Sequence, residues 1–152
     1  MKAFFKGFGY AGRGLWFCIR QERNFRIHLV AAVYVLAAAP FFSLSRGEWA
    51  ALLLVIGLVI AAEALNTAVE QTVNLASPER HTVARIAKDV AAGAVLLCAL
   101  TALGVAGCLF TQPAGWQRLG QALLDTPWCG ILLIVSIVPA LWFVFGLQKR
   151  EH

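Results

Sequence analysis

The chain has 152 residues, 60% of them apolar and only 14% charged, with a mean hydropathy of +0.73, whereas soluble domains run nearer roughly half apolar and a quarter charged. Those figures exclude a water-soluble globule and a disordered tail protein, and four cysteines scattered through apolar runs (Cys18, Cys98, Cys108, Cys129) form neither a disulfide scaffold nor a CxxC metal site. A net charge of +5 suits either nucleic acid or a membrane face, and the placement of the cations decides between them.

The first 26 residues mix Phe4, Phe5, Phe8, Leu15, Trp16 and Ile19 with Lys2, Lys6, Arg13 and Arg20, which predicts an amphipathic helix lying on a membrane surface. Gly7, Gly9, Gly12 and Gly14 each cost about 1 kcal/mol in a helix interior, so this helix is expected to be bent or broken. Apolar stretches follow at about 27–44, 49–69, 90–110 and 128–147, each near the ~20 residues that cross a bilayer core of ~30 Å. Alternating short strands are absent, so the four are read as transmembrane helices. Pro40 kinks the first or marks its exit, and without a small-residue cleavage pattern that stretch is a span rather than a signal peptide. Between spans three and four, Gln112 to Asp125 carries Trp116, Leu119, Leu123 and Leu124 beside Arg118 and Gln121, a second interfacial stretch.

Six cations (Lys2, Lys6, Arg13, Arg20, Arg23, Arg26) precede the first span, Arg80, Arg85 and Lys88 join the second to the third, and Lys149 and Arg150 follow the fourth. Eleven of thirteen cations therefore share one side of a four-span topology, leaving only Arg46 and Arg118 on the other. By the positive-inside rule that side is the cytoplasm, with both termini inside, and nucleic acid need not be invoked.

The second span reads AAEALNTAVEQTVN from Ala61, so Asn66, Thr67, Glu70 and Asn74 follow Glu63 at spacings of three, four, seven and eleven. At 100° per residue these fall on one helix face. A lone carboxylate in hydrocarbon is costly and usually faces a bundle interior, a metal or a water-filled cavity; Glu63, the deepest, has the weakest purely structural explanation. Asn66 and Thr67 could also serve as interhelical hydrogen-bond glue, Lys88 as an anchor paired with Asp89, and Glu79 as a solvated loop residue beside Ser77 and Pro78, which read as a helix stop and restart. His28 and His81 lack a second ligand at helical spacing and read as surface or interface residues.

Glu22 stands before the first span, and Lys88 and Asp89 open the third at about the depth of Glu70 and Asn74. Three carboxylates and a lysine at one level suit phosphoryl transfer. That chemistry needs a metal to offset phosphate charge and a group to take the proton of the attacking hydroxyl, and magnesium is held by one or two carboxylates with substrate phosphates. No P-loop or protein-kinase Gly-rich loop occurs. The alternative from another class is a non-catalytic transport or assembly subunit whose intramembrane glutamates bind an ion.

The run Glu63 to Glu70 (EALNTAVE), followed by His81 and by Ala87 to Leu97 (AKDVAAGAVLL), closely resembles the signature of the small prokaryotic diacylglycerol kinase family, which includes the undecaprenol kinases. Glu22 to Leu29 (ERNFRIHL) is similar to the segment leading into that family's first span, and the resemblance covers about residues 4 to 110. It implies an all-α integral membrane lipid kinase of the bacterial inner membrane, with a surface helix and three core spans. It further implies a homotrimer with shared active sites that uses Mg-ATP to phosphorylate the hydroxyl of undecaprenol or diacylglycerol. By position, Glu63 resembles the catalytic base and Asn66 the residue that orients it or the substrate hydroxyl; Glu22 and Glu70 match metal-binding carboxylates that also face the nucleotide, and Tyr10, Glu79, His81, Lys88 and Asp89 match further nucleotide contacts. Two departures stand out. Asn74 replaces the family's usual Asp, and residues 111–152, with a fourth span, extend beyond the usual core. The ERNFRIHL and IAKDVAAGAVLL segments look more like the undecaprenol kinase branch.

Overall fold

The computed structural model describes residues 2–77 and 81–146. Among these the chain forms α1 (Lys2–Gln21), α2 (Arg23–Ala38), a 3₁₀ turn (Ala39–Phe42), α3 (Arg46–Ala76), α4 (Thr82–Leu109), α5 (Pro113–Asp125) and α6 (Pro127–Phe145), with no strand. Four segments are long and apolar enough to cross a bilayer: Arg23–Phe42, Arg46–Ala76, Thr82–Leu109 and Trp128–Phe145. The protein is an all-α integral membrane protein.

The surface helix corrects its expectation. α1 runs unbroken through all four glycines. Part of their cost is offset locally: Phe4 packs edge-on against Phe8 at 5.1 Å, and Arg13 and Arg20 lie over the rings of Tyr10 and Trp16 at 4.7 and 5.1 Å, as three- and four-residue spacing on a helix allows. Phe4, Phe5, Phe8 and Trp16 stay exposed, available to a membrane surface.

Each span overlaps its expected stretch, but the helices run past several of the expected ends, α4 starting at Thr82 rather than near residue 90. The first leaves the α-helix at Ala39 and ends in the 3₁₀ turn that holds Pro40, because proline tolerates the first turn of a helix and blocks its interior. α3 is 31 residues long, about 46 Å at 1.5 Å per residue, so it outruns a ~30 Å hydrocarbon core and carries Glu70 and Asn74 on the same continuous rod as Glu63. It stops at Ala76, and α4 restarts after His81, whose Nδ1 accepts the Val83 N–H at 3.3 Å. α3 and α4 thus form an antiparallel hairpin. The interfacial stretch is the helix α5.

The two ends of this bundle differ in chemistry. At the aromatic end, Ala39, Leu52 and Leu109 are buried and wrapped by Val35, Leu36, Trp49, Ile56 and Phe110. The Phe42 ring meets Phe110 and Trp116 edge-on at 4.7 and 5.1 Å. Gly115 is required there: any Cβ would collide with the Phe42 ring. Ser43 turns the chain in the left-handed region (φ 50°), and Ser45 opens α3 with a capping box, its N–H donating to Glu48 Oε2 at 2.7 Å while its Oγ accepts the Glu48 N–H at 3.3 Å. Trp116 Nε1 donates to the Phe110 carbonyl at 2.9 Å. The charged end instead gathers Arg26, Glu22, Glu63 and Glu70.

Candidate active site

Four helices build the site at the charged end. α3 supplies one face, on which Glu63, Asn66 and Thr67 are buried, at 2%, 9% and 3% exposure, and Glu70 is half-buried. The i, i+3, i+4, i+7 spacing read from the sequence is therefore the inward face of the helix. Thr67 Oγ1 donates to the Glu63 carbonyl at 3.0 Å, and Asn66 Nδ2 donates to Glu70 Oε1 at 3.2 Å, linking the deep end of the site to its rim.

The second wall is the junction of α1 and α2. Glu22 is the non-helical residue between them (φ −100°, ψ 113°), its N–H donating to the Cys18 carbonyl at 2.8 Å and its carbonyl accepting the Arg26 N–H at 3.3 Å. Its half-buried carboxyl is pushed above the ordinary carboxylate range, chiefly by burial and then by the carboxylate of Glu70, against the opposing pull of Arg26. Glu63 is within electrostatic reach of both Glu22 and Glu70. Burial likewise pushes up the Cys18 thiol, which faces Thr67.

α4 contributes Lys88, whose Nζ donates to Asn74 Oδ1 at 2.5 Å and ties the two arms of the hairpin together. The residue at which the chain departs from the family signature is thus the acceptor for the expected phosphate-binding lysine.

Of the residues expected at the site, Glu22, Glu63, Asn66 and Glu70 come together, and Lys88 stands at the rim. Asp89 is exposed beside it, and His81 is exposed and spends Nδ1 on capping α4. Tyr10 lies twelve residues before Glu22, about 18 Å along α1, exposed and beneath the Arg13 guanidinium, so the fold does not bring it to the carboxylates within one chain. Glu79 falls outside the described residues.

Among the described residues no three His, Cys, Asp or Glu side chains form a ready metal cage. The donor set nonetheless fits magnesium. The Glu22 and Glu70 carboxylates are within electrostatic reach of each other, and Asn66, bonded to Glu70, has its Oδ1 buried with no hydrogen-bond partner; hard oxygen donors of this number, completed by phosphate and water, are what magnesium takes.

Arg26 is the residue that sequence reasoning missed. Counted there as one more cation on the cytoplasmic side, it is wholly buried at 0% exposure. Its place between Phe25 and Ile27, inside the first turn of a span, was the available signal, since a cation there must find partners within the protein.

Residues 9–110 match the family model described as prokaryotic diacylglycerol kinase. The chain is 46% identical over 100 residues to the undecaprenol kinase of Bacillus subtilis, covering 66% of this chain and 81% of that one. It is 45% identical over 107 residues to a diacylglycerol kinase of Synechocystis, covering 70% of this chain and 61% of that one. The corresponding figures for a diacylglycerol kinase of Pseudomonas aeruginosa are 34% over 105 residues, 69% and 85%. No solved structure matches the chain. The chain belongs to the prokaryotic diacylglycerol kinase family and is a membrane-embedded lipid kinase. α5 and α6 lie outside the matched residues.

Proposed function

We propose that this kinase transfers the γ-phosphate of Mg-ATP to the hydroxyl of a membrane lipid, with undecaprenol as the first candidate and diacylglycerol as the second. The reaction takes place at the cytoplasmic face of the bacterial inner membrane, which the charged end of the bundle meets. The observation that carries this reading is the vertical order of the carboxylates on α3. Glu63 is buried at membrane depth, and Glu70 stands seven residues nearer the end of the helix, about 10 Å along the axis. A lipid hydroxyl arrives from the bilayer and a nucleotide from water, so each meets the carboxylate suited to it.

In this reading Glu63 accepts the proton of the lipid hydroxyl as it attacks the γ-phosphorus, as general bases do for other phosphoryl acceptors. Asn66, bonded to Glu70 on one side and with Oδ1 free on the other, orients that hydroxyl or Glu63. Glu22 and Glu70 would hold the magnesium ion, which when bound would offset the charge of the ATP phosphates. Lys88 moves from Asn74 to a phosphate oxygen, a short rotation about its own stem, and Asp89, His81, Glu79 and Tyr10 complete the nucleotide's surroundings. Tyr10 reaches it from a neighbouring subunit of a homotrimer whose sites are shared. Ala61, Ala68, Ala92 and Ala94 are exposed on the α3–α4 hairpin and leave a small-residue face for close helix approach. The catalytic core ends at about residue 110, and residues 111–152 form an extension with the fourth span.

The test is transfer of radiolabelled γ-phosphate from Mg-ATP to undecaprenol and diacylglycerol in parallel mixed micelles, with Glu63→Gln as control. Labelled lipid that disappears in the control is the expected result and names the substrate. Normal labelling by the Glu63→Gln protein removes Glu63 as the base, and no labelling of either lipid by folded wild-type protein removes the activity.

A further inference from the structure

α6 lies outside the residues shared with the family, yet it ends on the most buried cation of the core. Arg26 Nε and Nη2 donate to the Val144 carbonyl at 3.2 and 3.0 Å, and Nη1 donates to the carbonyls of Ile19 and Arg20 at 2.9 and 3.1 Å. All four bonds go to backbone carbonyls and none to a carboxylate. Ile19 and Arg20 belong to the last turn of α1, and Val144 to the last turn of α6. Helix C-terminal carbonyls lack intrahelical donors and stand at the negative end of the helix dipole, so two helix ends together solvate a wholly buried guanidinium.

The location of this fork matters. Glu22 is the break between α1 and α2, and Arg26 reaches from α2 back across that break to α1. The fork therefore fixes the angle between the two helices, and with it the direction in which Glu22 points. Val144 is itself buried and its height is set independently. Tyr34 Oη and Ser136 Oγ are hydrogen-bonded at 2.8 Å, eight residues from Arg26 on α2 and eight from Val144 on α6, so the two helices run antiparallel in one register. Arg23 adds a second grip, its guanidinium lying 6.0 Å from the centre of the Phe145 ring.

We propose that the end of the fourth span is a positioning element for the metal-and-nucleotide site: the Val144 carbonyl holds Arg26, and Arg26 as a positioning residue holds the α1–α2 junction so that the Glu22 carboxylate faces Glu70. This rests on the reading of Glu22 as a magnesium carboxylate. An arginine is specifically needed, because a lysine ammonium has no planar fork to serve carbonyls on two sides at once.

The experiment measures binding of magnesium with a fluorescent non-hydrolysable ATP analogue to full-length protein in lipid nanodiscs, alongside kcat at saturating nucleotide. Six proteins are compared: wild type, Arg26→Lys, Val144→Trp, Glu22→Gln, and the first two substitutions each placed on the Glu22→Gln background. Arg26→Lys keeps the charge and loses the fork, whereas Val144→Trp keeps Arg26 and displaces the carbonyl by overfilling a buried seat. Each is expected to weaken analogue binding about tenfold, the low end for outer partners of metal ligands, with kcat at saturation within about twofold and no further loss on the Glu22→Gln background, as residues acting through one group are non-additive. Unchanged binding in both variants, or losses that add fully to that of Glu22→Gln, overturns the proposal. If Arg26→Lys does not accumulate, Val144→Trp decides alone. Unchanged binding in Glu22→Gln itself would instead overturn the role of Glu22, which separates the two failures.

Discussion

The two ends of the bundle solve opposite problems. At the aromatic end Phe42 is fully buried, its ring is enclosed by Phe110, Trp116 and Gly115, and the backbone around it is capped by Ser45 and Glu48. That end is closed, and among the described residues no buried side-chain polar atom there lacks a partner. At the charged end Glu63 is nearly as buried, burial and Glu70 disfavour ionisation of Glu22, and Asn66 Oδ1 is left without a partner. A helix bundle whose packing alone mattered would not keep such groups at one end, because unpaired buried polar atoms each cost on the order of 1–3 kcal/mol. The difference teaches that stability is concentrated where the chain turns at the aromatic end, and chemistry where it accepts a local cost.

Substitutions at the two ends should therefore separate activity from stability. The largest effect is expected from Glu63→Gln, which should lower phosphate transfer by about 10²–10⁴-fold, the usual contribution of a general base, while the melting temperature of the detergent-solubilised protein holds or rises. A fall in stability matching the fall in activity would erase the distinction. Phe42→Ala should do the reverse, costing about 3–5 kcal/mol as large-to-small changes at filled sites do, with activity per folded molecule kept within about twofold; reversible unfolding in mixed micelles measures the first quantity and initial rates the second.

Smaller changes sharpen the contrast. Asn74→Asp turns the Lys88 hydrogen bond into an ion pair worth about 0.2–1 kcal/mol at an exposed position, and nucleotide affinity should be kept or improved by a factor of up to about five. Marked loss of affinity in a nucleotide titration would show that the amide itself is required. The smallest effect concerns pH. The Glu22 carboxyl is raised from its ordinary 4.5 in the folded protein, so its ionised form opposes folding. That cost is absent below 4.5, grows as pH rises to the raised value, and is constant above it. Glu22→Gln should accordingly be slightly more stable than wild type near neutral pH in magnesium-free detergent, with the gain fading on acidification through that window. A gain that grows on acidification would contradict the sign of the shift.

Much of the site was legible in the chain because helix geometry is local. Glu63, Asn66, Thr67 and Glu70 recur at spacings that an α-helix places on one face whatever its neighbours, and hydrocarbon leaves a buried carboxylate few explanations. Glycine cost, read residue by residue, misjudged α1, since aromatic and cation–π pairs three to four residues apart hold the helix through Gly7 to Gly14. Tyr10 illustrates the opposite limit, since a motif position does not say how far the fold leaves a residue from the carboxylates, and Tyr10 stays exposed beneath Arg13.

Length, apolar content and charge asymmetry determined that this protein crosses a membrane as helices, because a bilayer permits few other ways to satisfy the backbone. The polar spacing of the second span determined which face of α3 turns inward. What only the tertiary structure decided is where Arg26 goes: the same residue could anchor at the lipid surface, pair with Glu22 one turn away, or be buried. It is buried because two helix ends, one from α1 and one from a span more than a hundred residues further along the chain, bring their unpaired carbonyls to a single point, and no local pattern encodes that meeting.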